Sequence, residues 1–498
     1  MQVDRLTPAW VAWSVLCAIF ALAMLIRLHG LGFPYSRDYD EGVYWESLRA
    51  LADGHALYAQ VFHSQPPLFL LSVYPLYSVF GASLWSARFA VALISLLGLG
   101  GAALAGRAIA GQTGFVLLPL LLLLNLDYLA ASQRLMADSV SLAFAFLAVG
   151  ASFMCVSAQS QRRSVAFACL SGVSLALSVA CKLSGAAAVV PVIAALVPRA
   201  FDARSAAPER ALGRKSLTAA GIAFIAVSSV VLLAFGHVLT PMADQVISFH
   251  LASSIAYAAG QHQSINALLA VFKSFLGVAA LYGTLRALAY RDWRVAPCFA
   301  WLVADFWVLL RTVPLFAHHL VILVPALVSL AFFGVVRYDR GSAISRISIA
   351  KFDRALGFAV LLIFSLRALR SEAAYLSANS DVHSEVWLSS APALVADVKK
   401  NLHPRQELVT DAPSIAALAE RDTPAWLVDT SEVRINSGYL TSKQVIDQAA
   451  KPQVGGVLLA HRWAWLSLPP MHAFDQWLNR HLKLKRVYAH GEQLWLKQ

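Results

Sequence analysis

Long apolar runs recur along the chain between residues 9 and 370, and they limit the folds that it can adopt. Each run is about 18–25 residues long, and a helix of that length crosses a hydrocarbon core of about 30 Å. The runs are continuous rather than alternating, which favours membrane helices over a membrane β-barrel. Only 14% of the residues are charged, against about 25% in soluble globular chains. The sequence therefore predicts a polytopic α-helical membrane protein.

We expect about eleven transmembrane helices. The first run is interpreted as a retained helix rather than a cleaved secretion signal, because it lacks a strongly basic start and a clean cleavage site of small residues. The predicted spans are Pro8–Leu28, Ser83–Ile109, Gly114–Ala131, Asp138–Ser157, Ser164–Val179, Gly185–Val197, Ser216–Val238, Ala267–Leu288, Val295–Leu310, His319–Val336 and Ala355–Arg370.

The positive charge of the chain is concentrated in short loops. The formal net charge is +12, but a nucleic-acid-binding surface is not predicted, because the basic loops alternate with loops poor in Lys and Arg. This alternation is typical of the positive-inside rule and places the N-terminus in the cytoplasm and the C-terminus outside. The basic loop residues are Arg162, Arg163, Arg199, Arg204, Arg210, Arg214, Lys215, Arg291, Arg294, Arg337, Arg340, Arg346, Lys351 and Arg354.

The composition changes near Ser371, where polar residues return and short strand-like runs alternate with helical ones. This alternation predicts a small extracytoplasmic α/β domain over residues 371–498, after a membrane domain over residues 1–370. No disulfide framework is expected, because this part contains no cysteine. The predicted strands are Glu407–Thr410, Ala425–Val428, Gly456–Ala460, Lys485–Tyr488 and Gln493–Leu496. The predicted helices are Glu385–Leu402, Ser414–Glu420, Ser442–Ala449 and Met471–Leu482.

Three carboxylates stand together in the first outer loop, at Asp38, Asp40 and Glu41. Asp38 or Asp40 is suited to cap a helix that ends at Asp53-Gly54, and Pro66-Pro67 suits the start of a second helix. Both helices are predicted to lie along the membrane surface with their apolar faces down. A cap needs one carboxylate whereas the cluster offers three, so we expect a functional role for the others.

Polar residues recur at this depth of the membrane, and each has a purely structural alternative. Asp138 suits a helix N-cap, Arg134 and Lys182 suit snorkelling to lipid headgroups, and His318 with His319 suits the interface. Taken together, they indicate a chemistry. A carboxylate takes a proton from an acceptor hydroxyl, and cations stabilise the charge on a departing phosphate. The sequence has no glycine-rich phosphate loop, which argues against a nucleotide-sugar donor.

Six motifs in chain order carry a family resemblance, over about residues 15–335. The motifs are Tyr39-Asp40-Glu41-Gly42-Val43-Tyr44, Gln65-Pro66-Pro67-Leu68, residues 83–89, Met136-Ala137-Asp138-Ser139, Cys181-Lys182-Leu183-Ser184-Gly185 and residues 316–325. On them the chain resembles the polytopic GT-C glycosyltransferases, specifically the group that contains bacterial aminoarabinose transferase and the protein O-mannosyltransferases. The C-terminal part does not resemble the β-trefoil domain of the latter, so a protein acceptor is not implied.

The resemblance implies an inverting transfer of a sugar from a polyprenyl-phosphate donor to a lipid or glycan acceptor, at the outer face of the bacterial inner membrane. It implies that Asp40 is the catalytic base, that Glu41 orients Asp40 or contacts the acceptor, and that Asp138 is a second acid of the cavity. Lys182 and Arg134, with either His319 or Arg311, would hold the donor phosphate. The side chains expected to contact the substrates are Asp38, Tyr44, His63, Gln65, Arg134, Lys182, Arg311, His318 and His319.

Several alternatives stay open at this point. The same acidic and basic residues would serve a transporter or flippase of a lipid-linked saccharide, although transporters place charges nearer the midplane of the membrane. A membrane ligase that joins lipid-linked chains would share the fold. His63 and Gln65 stand where the aminoarabinose enzymes carry a Glu-Lys pair, so a metal site or a lipid A specificity is not carried over. A divalent cation is left open, because the spacing of the acids and histidines matches no defined ligand set.

Overall fold

The structure is a computed structural model that describes residues 8–36, 38–203, 206–338, 390–460, 468–470 and 472–497, with isolated positions between 357 and 370. Most of these residues are helical. The α-helices in chain order are α1 (Ala9–Leu31), α2 (Tyr39–Ala52), α3 (Leu68–Val79), α4 (Leu84–Leu123), α5 (Leu126–Ser132), α6 (Ala137–Ser157), α7 (Gln161–Cys181), α8 (Val189–Phe201), α9 (Ala207–Ala234), α10 (Leu239–Ala243), α11 (Phe249–Ala256), α12 (Gln261–Lys273), α13 (Phe275–Ala289), α14 (Val295–Arg311), α15 (Val324–Phe332), α16 (Ala391–Asn401), α17 (Pro413–Leu418), α18 (Glu432–Asn436), α19 (Ser442–Ala449) and α20 (Ala473–His481).

Within the described part of the chain, six helices are long and apolar enough to cross a membrane, or seven when the bent pair α12 and α13 counts as one span. The predicted number of eleven therefore stays a prediction. Helices α14 and α15 lie at predicted spans but are shorter than 18 residues. The predicted span Ala355–Arg370 and the predicted domain boundary at residue 371 fall outside the described residues, apart from isolated positions.

Helix α4 is continuous in sequence but folds back on itself at Ala110 and Gly111. Gly111 adopts a φ of 63°, a left-handed conformation that glycine tolerates without steric cost. The two halves then pack so closely that a Cβ on Gly106 would lie 2.1 Å from the Gly114 carbonyl oxygen. The sequence prediction of two separate spans, with a break between Ile109 and Gly114, matches this reversal of direction.

The first outer loop contains the two predicted helices. Asp38 is the N-cap of α2, and its side chain accepts a hydrogen bond from the backbone N–H of Asp40 at 3.1 Å. Helix α3 follows Pro67, as expected from the paired prolines. The predicted position of α2 along the membrane surface stays a prediction, but most of the residues of the helix are buried. The C-terminal unit covers the side of the helix that bears Tyr39, Gly42 and Glu46.

The C-terminal unit is built on a four-stranded sheet in the order β1-β2-β4-β3. β1 (Glu407–Thr410) pairs in parallel with β2 (Val454–Leu459), whereas β4 (Gln493–Leu496) runs antiparallel to both β2 and β3 (Lys483–Val487). Helices α16, α17, α19 and α20 pack on this sheet around two apolar clusters. A small α/β unit was predicted, and its strands and helices lie near the expected positions.

One predicted strand is wrong. Residues Ala425–Leu427 form a 3₁₀ turn instead, and the short helix α18, which the sequence reading missed, follows it. Pro424 precedes the turn and has no N–H to give to a sheet ladder. The indole of Trp426 packs against the ring of Phe62 in the first outer loop, at 5.9 Å between ring centroids. This segment therefore packs between the two parts of the chain: Trp426 contacts the membrane domain, and Leu427 joins the apolar cluster of the sheet.

Polar contacts join the C-terminal unit to helix α2 along its length. The Tyr39 hydroxyl accepts a hydrogen bond from the Thr430 backbone N–H at 3.0 Å. Two turns further along, the Glu46 carboxylate accepts hydrogen bonds from the backbone N–H and the hydroxyl of Thr423, at 3.0 and 3.1 Å. Arg49 pairs with Asp422 near the end of the helix. The sheet unit thus fixes the position of the helix that carries the acidic cluster.

Candidate active site

A cavity of about 620 Å³ lies between helix α2, the C-terminal unit and the ends of the membrane helices that face them. Its size falls within the range of small-molecule sites, about 300–1,000 Å³. Nine of the twelve residues proposed for the site line it, and the other three do not. The nine are Asp38, Asp40, Tyr44, Gln65, Asp138, Lys182, Arg311, His318 and His319. The sequence prediction of one pocket lined by an acid from the start of the chain and cations from its middle therefore agrees with the geometry.

Asp38 and Asp40 share one histidine at the cavity wall. The Nδ1 atom of His318 lies 3.1 Å from Asp38 Oδ2, and its Nε2 atom lies 3.8 Å from Asp40 Oδ2. Asp38 uses its other oxygen to cap α2. The Asp40 carboxylate makes no such capping bond, and 38% of its side chain is exposed, against 18% for Asp38. Asp40 is thus the acid of this pair that is open to a ligand.

The pKa values of Asp38 and Asp40 are shifted in opposite directions. Burial and the neighbouring charge of Asp38 raise the pKa of Asp40 to about 7, although the charge of His318 opposes the rise. Burial would also raise the pKa of Asp38, but the hydrogen bond and charge of His318 outweigh it and hold that pKa below the usual range. A carboxylate whose pKa lies near neutrality is suited to accept and release a proton at working pH. This is the property expected of a general base at Asp40.

Glu41 has a different environment, although it is adjacent in sequence. Its carboxylate is fully buried, pairs with Arg88 at 2.8 and 2.7 Å, and accepts a hydrogen bond from the Leu135 backbone N–H at 2.8 Å. Burial would raise the pKa of Glu41, but the charge and hydrogen bonds of Arg88 hold it below the usual range. Glu41 does not line the cavity. Of the two predicted roles of Glu41, orienting Asp40 fits this geometry, because the ion pair with Arg88 fixes the start of α2; contact with the acceptor stays a prediction.

Asp138 and Lys182 form an ion pair at the floor of the cavity. The Lys182 Nζ atom lies 2.6 Å from Asp138 Oδ2, and both side chains are largely buried, at 13% and 4% exposure. Asp138 lies in the first turn of α6, and Lys182 is the C-cap residue that follows the last residue of α7. The N-cap alternative for Asp138 is not supported, because Met136 occupies the cap position. Lys182 therefore presents its ammonium group beside a fixed carboxylate at the cavity floor.

Arg311, at the end of α14, is an exposed cation of the cavity wall, and its guanidinium lies 5.9 Å from the Trp307 ring centre. His319 lies next to His318, with their ring centroids 4.4 Å apart. Tyr44 and Gln65 contribute to the wall on the side of the first outer loop, and both are buried. The cavity lining therefore combines carboxylates, cations, imidazoles and aromatic rings.

His63 and Arg134 are not among the residues that line this cavity, so its geometry does not support their predicted contacts with substrate, which stay predictions. The His63 ring is buried between Tyr44 and Tyr58, and burial lowers its pKa to about 3. Its backbone N–H donates to Gln245 Oε1 at 2.9 Å. The positive charge of Arg134 instead acts on the acidic cluster, where it lowers the pKa of both Asp38 and Glu41.

The sequence reading missed the C-terminal side of the cavity. Asp429, Ser431 and Glu432 line the wall there, and His250 and Tyr257 line it from α11 and the residue after it. The sequence gave a weak signal for His250, since this residue lies in a loop that the predicted orientation places outside. Asp429 and Glu432 gave none, because their proximity to Asp40 depends on how the sheet unit packs on α2.

No group of three or more His, Cys, Asp or Glu side chains among the described residues is arranged to hold a metal ion. The divalent cation left open by the sequence thus gains no ligand set in that part of the chain. What the cavity offers is a carboxylate near its protonation midpoint at one wall and two cations at others. Such an arrangement suits the deprotonation of a hydroxyl and the stabilisation of a leaving phosphate.

Comparison with solved structures places the chain in a known fold. It matches ArnT from Cupriavidus metallidurans bound to undecaprenyl phosphate with a TM-score of 0.61 and 15% identity, over 97% of both chains. The apo state of that protein gives 0.59 over 98% of both chains. AglB, an oligosaccharyltransferase from Archaeoglobus fulgidus solved with an inhibitory peptide and a dolichol-phosphate, gives 0.51 at 13% identity, over 98% of this chain and 75% of its own.

No protein-family model matches the sequence, and no curated protein does either. At these identities the structural likeness shows the fold alone. The chain therefore has the GT-C fold of polytopic membrane glycosyltransferases, as the sequence motifs predicted.

Proposed function

We propose that this protein is an inverting glycosyltransferase that moves a sugar from a polyprenyl-phosphate donor to a hydroxyl acceptor at the outer face of the membrane. One observation carries the proposal: Asp40 and Lys182, distant in sequence, line the same cavity in a GT-C fold. The matching ArnT structure holds undecaprenyl phosphate, and AglB holds a dolichol-phosphate, which supports a lipid phosphate as the leaving group.

In the proposed reaction, Asp40 acts as the general base. The acceptor oxygen attacks the anomeric carbon of the sugar and loses its proton to the Asp40 carboxylate. At the same time the bond between the anomeric carbon and the phosphate oxygen breaks, and its electron pair leaves with the lipid phosphate. Attack from the face opposite the leaving group inverts the configuration at the anomeric carbon. The products are the glycosylated acceptor, the polyprenyl phosphate and a protonated Asp40.

The cations of the cavity are proposed to receive the leaving phosphate. Lys182 is fixed by Asp138, whereas Arg311 is exposed and free to adjust its position. Charge-assisted hydrogen bonds from such groups strengthen as negative charge develops on the phosphate. An apolar part of the wall, which includes Trp307, Phe316 and Ile322, lies beside them. We place the first isoprene units of the donor there, with the remaining chain in the lipid.

The location follows from the same proposal. A donor held in the bilayer presents its headgroup at the membrane surface, where the outer ends of the helices form the cavity. The positive-inside pattern puts that surface outside the cytoplasm, with the N-terminus inside. The inner membrane of a bacterium is the proposed site of action, and the acceptor is a lipid or glycan of the cell envelope.

The proposal is tested by reconstituting the protein in proteoliposomes with undecaprenyl-phosphate sugars labelled in the sugar. Envelope lipid and glycan fractions serve as acceptors. Label that appears in a product distinct from the donor, in wild type but not in Asp40→Asn, supports the proposal. Label that crosses the bilayer while still joined to the lipid phosphate would instead show a transporter. Donors that are neither cleaved nor moved would reject both functions.

A further inference from the structure

The imidazole of His318 bridges the two aspartates of the acidic cluster. Its Nδ1–H donates to Asp38 Oδ2 at 3.1 Å, and its Nε2 atom faces Asp40 Oδ2 at 3.8 Å. The Nε2 atom is buried and has no hydrogen-bond partner. The ring stacks on Phe316, with a centroid distance of 5.8 Å and an interplanar angle of 20°. These contacts fix the ring plane and leave one polar atom, directed at Asp40, without a partner.

From this geometry we infer that His318 is a positioning residue that keeps Asp40 ionised and aims its carboxylate into the cavity. The inference rests on the proposed function, in which Asp40 takes the proton of the acceptor. Asp38 would hold the proton on Nδ1. A second proton on the imidazole would then sit on Nε2, where it faces Asp40. His318 would then act through Asp40, rather than contact the substrates directly as the sequence predicts.

The electrostatic surroundings of His318 are mostly acidic on the side of α2. Asp38 and Asp40 face it from α2, and Asp138 faces it from the start of α6. Its neighbour His319 and the ammonium group of Lys182 supply positive charge nearby. Beyond these, Arg134 acts on Asp38, and Asp429 acts on Asp40 from the C-terminal unit. A protonated imidazole between two carboxylates is the arrangement that such a field favours.

A charge at His318 matters because Asp40 lies close to its protonation midpoint. Burial and the charge of Asp38 raise the pKa of Asp40. Among the neighbouring charges that lower this pKa, that of His318 has the largest effect. Loss of that charge would move the pKa of Asp40 further up. At mildly acidic pH the carboxylate would then be protonated and unable to act as a base, whereas at alkaline pH it would recover.

The variant His318→Asn tests this inference, because its amide can still donate to Asp38 but presents no cation to Asp40. The measurement is kcat for sugar transfer in proteoliposomes from pH 5 to pH 9. We expect the acid limb of the profile to move up by about one pH unit, with about a tenfold loss at pH 6 and recovery above pH 8.5. His318→Lys, which keeps a positive charge, should retain the acid limb at or below the wild-type position.

The control is His237→Asn, at an exposed histidine away from the cavity, which should leave the profile unchanged. A loss in His318→Asn that is equal at every pH would show a merely structural role and overturn the inference. So would an unshifted profile, or a His318→Lys variant as impaired at pH 6 as His318→Asn. Absence of any transfer by the wild type would reject the proposed function and the inference together, whereas an active wild type with an unshifted His318→Asn profile rejects the inference alone.

Discussion

Arg88 and Glu41 form a fully buried bidentate ion pair, with the Arg88 Nε and Nη2 atoms 2.8 and 2.7 Å from the two carboxylate oxygens. The same guanidinium donates to the backbone carbonyls of Phe33 and Tyr35 at 2.5 and 3.0 Å. It therefore ties the chain before α2 to the start of that helix. The pair separates two acids that are adjacent in sequence: Glu41 fixes the helix, and Asp40 is left open to the cavity.

Glu41→Gln should therefore lower stability and activity together. Removing one partner of a buried ion pair leaves a buried charge without compensation, which costs about 3–5 kcal/mol. We expect Tm in detergent to fall by several degrees and transfer to fall in parallel, at all pH values. Arg88→Ala should behave in the same way. If Glu41→Gln kept the wild-type Tm and lost transfer alone, Glu41 would be acting in the chemistry instead.

The difference between these two acids also shows what the sequence was able to predict. The apolar runs and the break before Gly114 are local signals, and so is the cap at Asp38. They depend on residues close together in the chain, and the structure agrees with them. Which acid of a pair reaches the cavity depends on a partner 47 residues away, and no local pattern encodes that contact.

The remaining differences between the predictions and the structure have the same physical origin. Tyr39 and Thr430 meet across 391 residues of sequence, so the acidic groups that flank Thr430 could not be assigned to the cavity in advance. His63 was expected in the site because it lies beside Gln65, but side chains two residues apart here point to different surroundings. The strand predicted at Ala425–Val428 was apolar enough for a sheet, yet the segment forms a 3₁₀ turn whose Trp426 packs on Phe62 of the first outer loop.

Glu46 gives a prediction about pH and stability. Burial raises its pKa to about 8, although Arg49 and the hydrogen bonds from Thr423 oppose the rise. The folded protein thus keeps a proton that an unfolded glutamate, with a pKa of 4.5, releases. The contribution of Glu46 to the free energy of unfolding is fully present below pH 4.5. It is lost as pH rises from there through 8, at up to about 1.4 kcal/mol per pH unit.

Glu46→Gln removes this titration and keeps an oxygen that can accept from Thr423. We expect the Tm of the variant to change less than that of the wild type between pH 6 and pH 8.5. Differential scanning fluorimetry in a buffer series gives the comparison directly. Equal slopes of Tm against pH in the two proteins would show that Glu46 is ionised throughout this range.

Gly42 lies where helix α2 meets the C-terminal unit. A Cβ on Gly42 would lie 2.9 Å from the Ser414 backbone nitrogen, so one of the two backbones would have to shift. Gly42→Ala should therefore cost about 1–3 kcal/mol and lower kcat, because α2 also carries Asp40. Gly221→Ala, in α9 with nothing within 4 Å of the added Cβ, is the matched control and should be neutral or stabilising. A Gly42→Ala variant as stable and active as Gly221→Ala would mean that this interface does not position the base.

Lys182→Ala should weaken binding of undecaprenyl phosphate by about ten- to a hundredfold, since hydrogen bonds to charged groups contribute about 1.5–3 kcal/mol. Microscale thermophoresis with the labelled protein measures this affinity without any acceptor. Asp138 would be left unpaired in that variant, so Lys182→Ala with Asp138→Asn separates loss of the phosphate contact from loss of the ion pair. If only the apparent affinity for the acceptor changed, Lys182 would not hold the phosphate.

The central claim is that Asp40 removes the proton of the acceptor, and Asp40→Asn tests it most directly. The change preserves size and removes both the negative charge of the carboxylate and its ability to act as a base. We expect transfer of labelled sugar from undecaprenyl-phosphate donors to fall by at least a factor of about 10²–10⁴, with Tm and binding of undecaprenyl phosphate close to wild type. Transfer near the wild-type rate by Asp40→Asn would contradict the account.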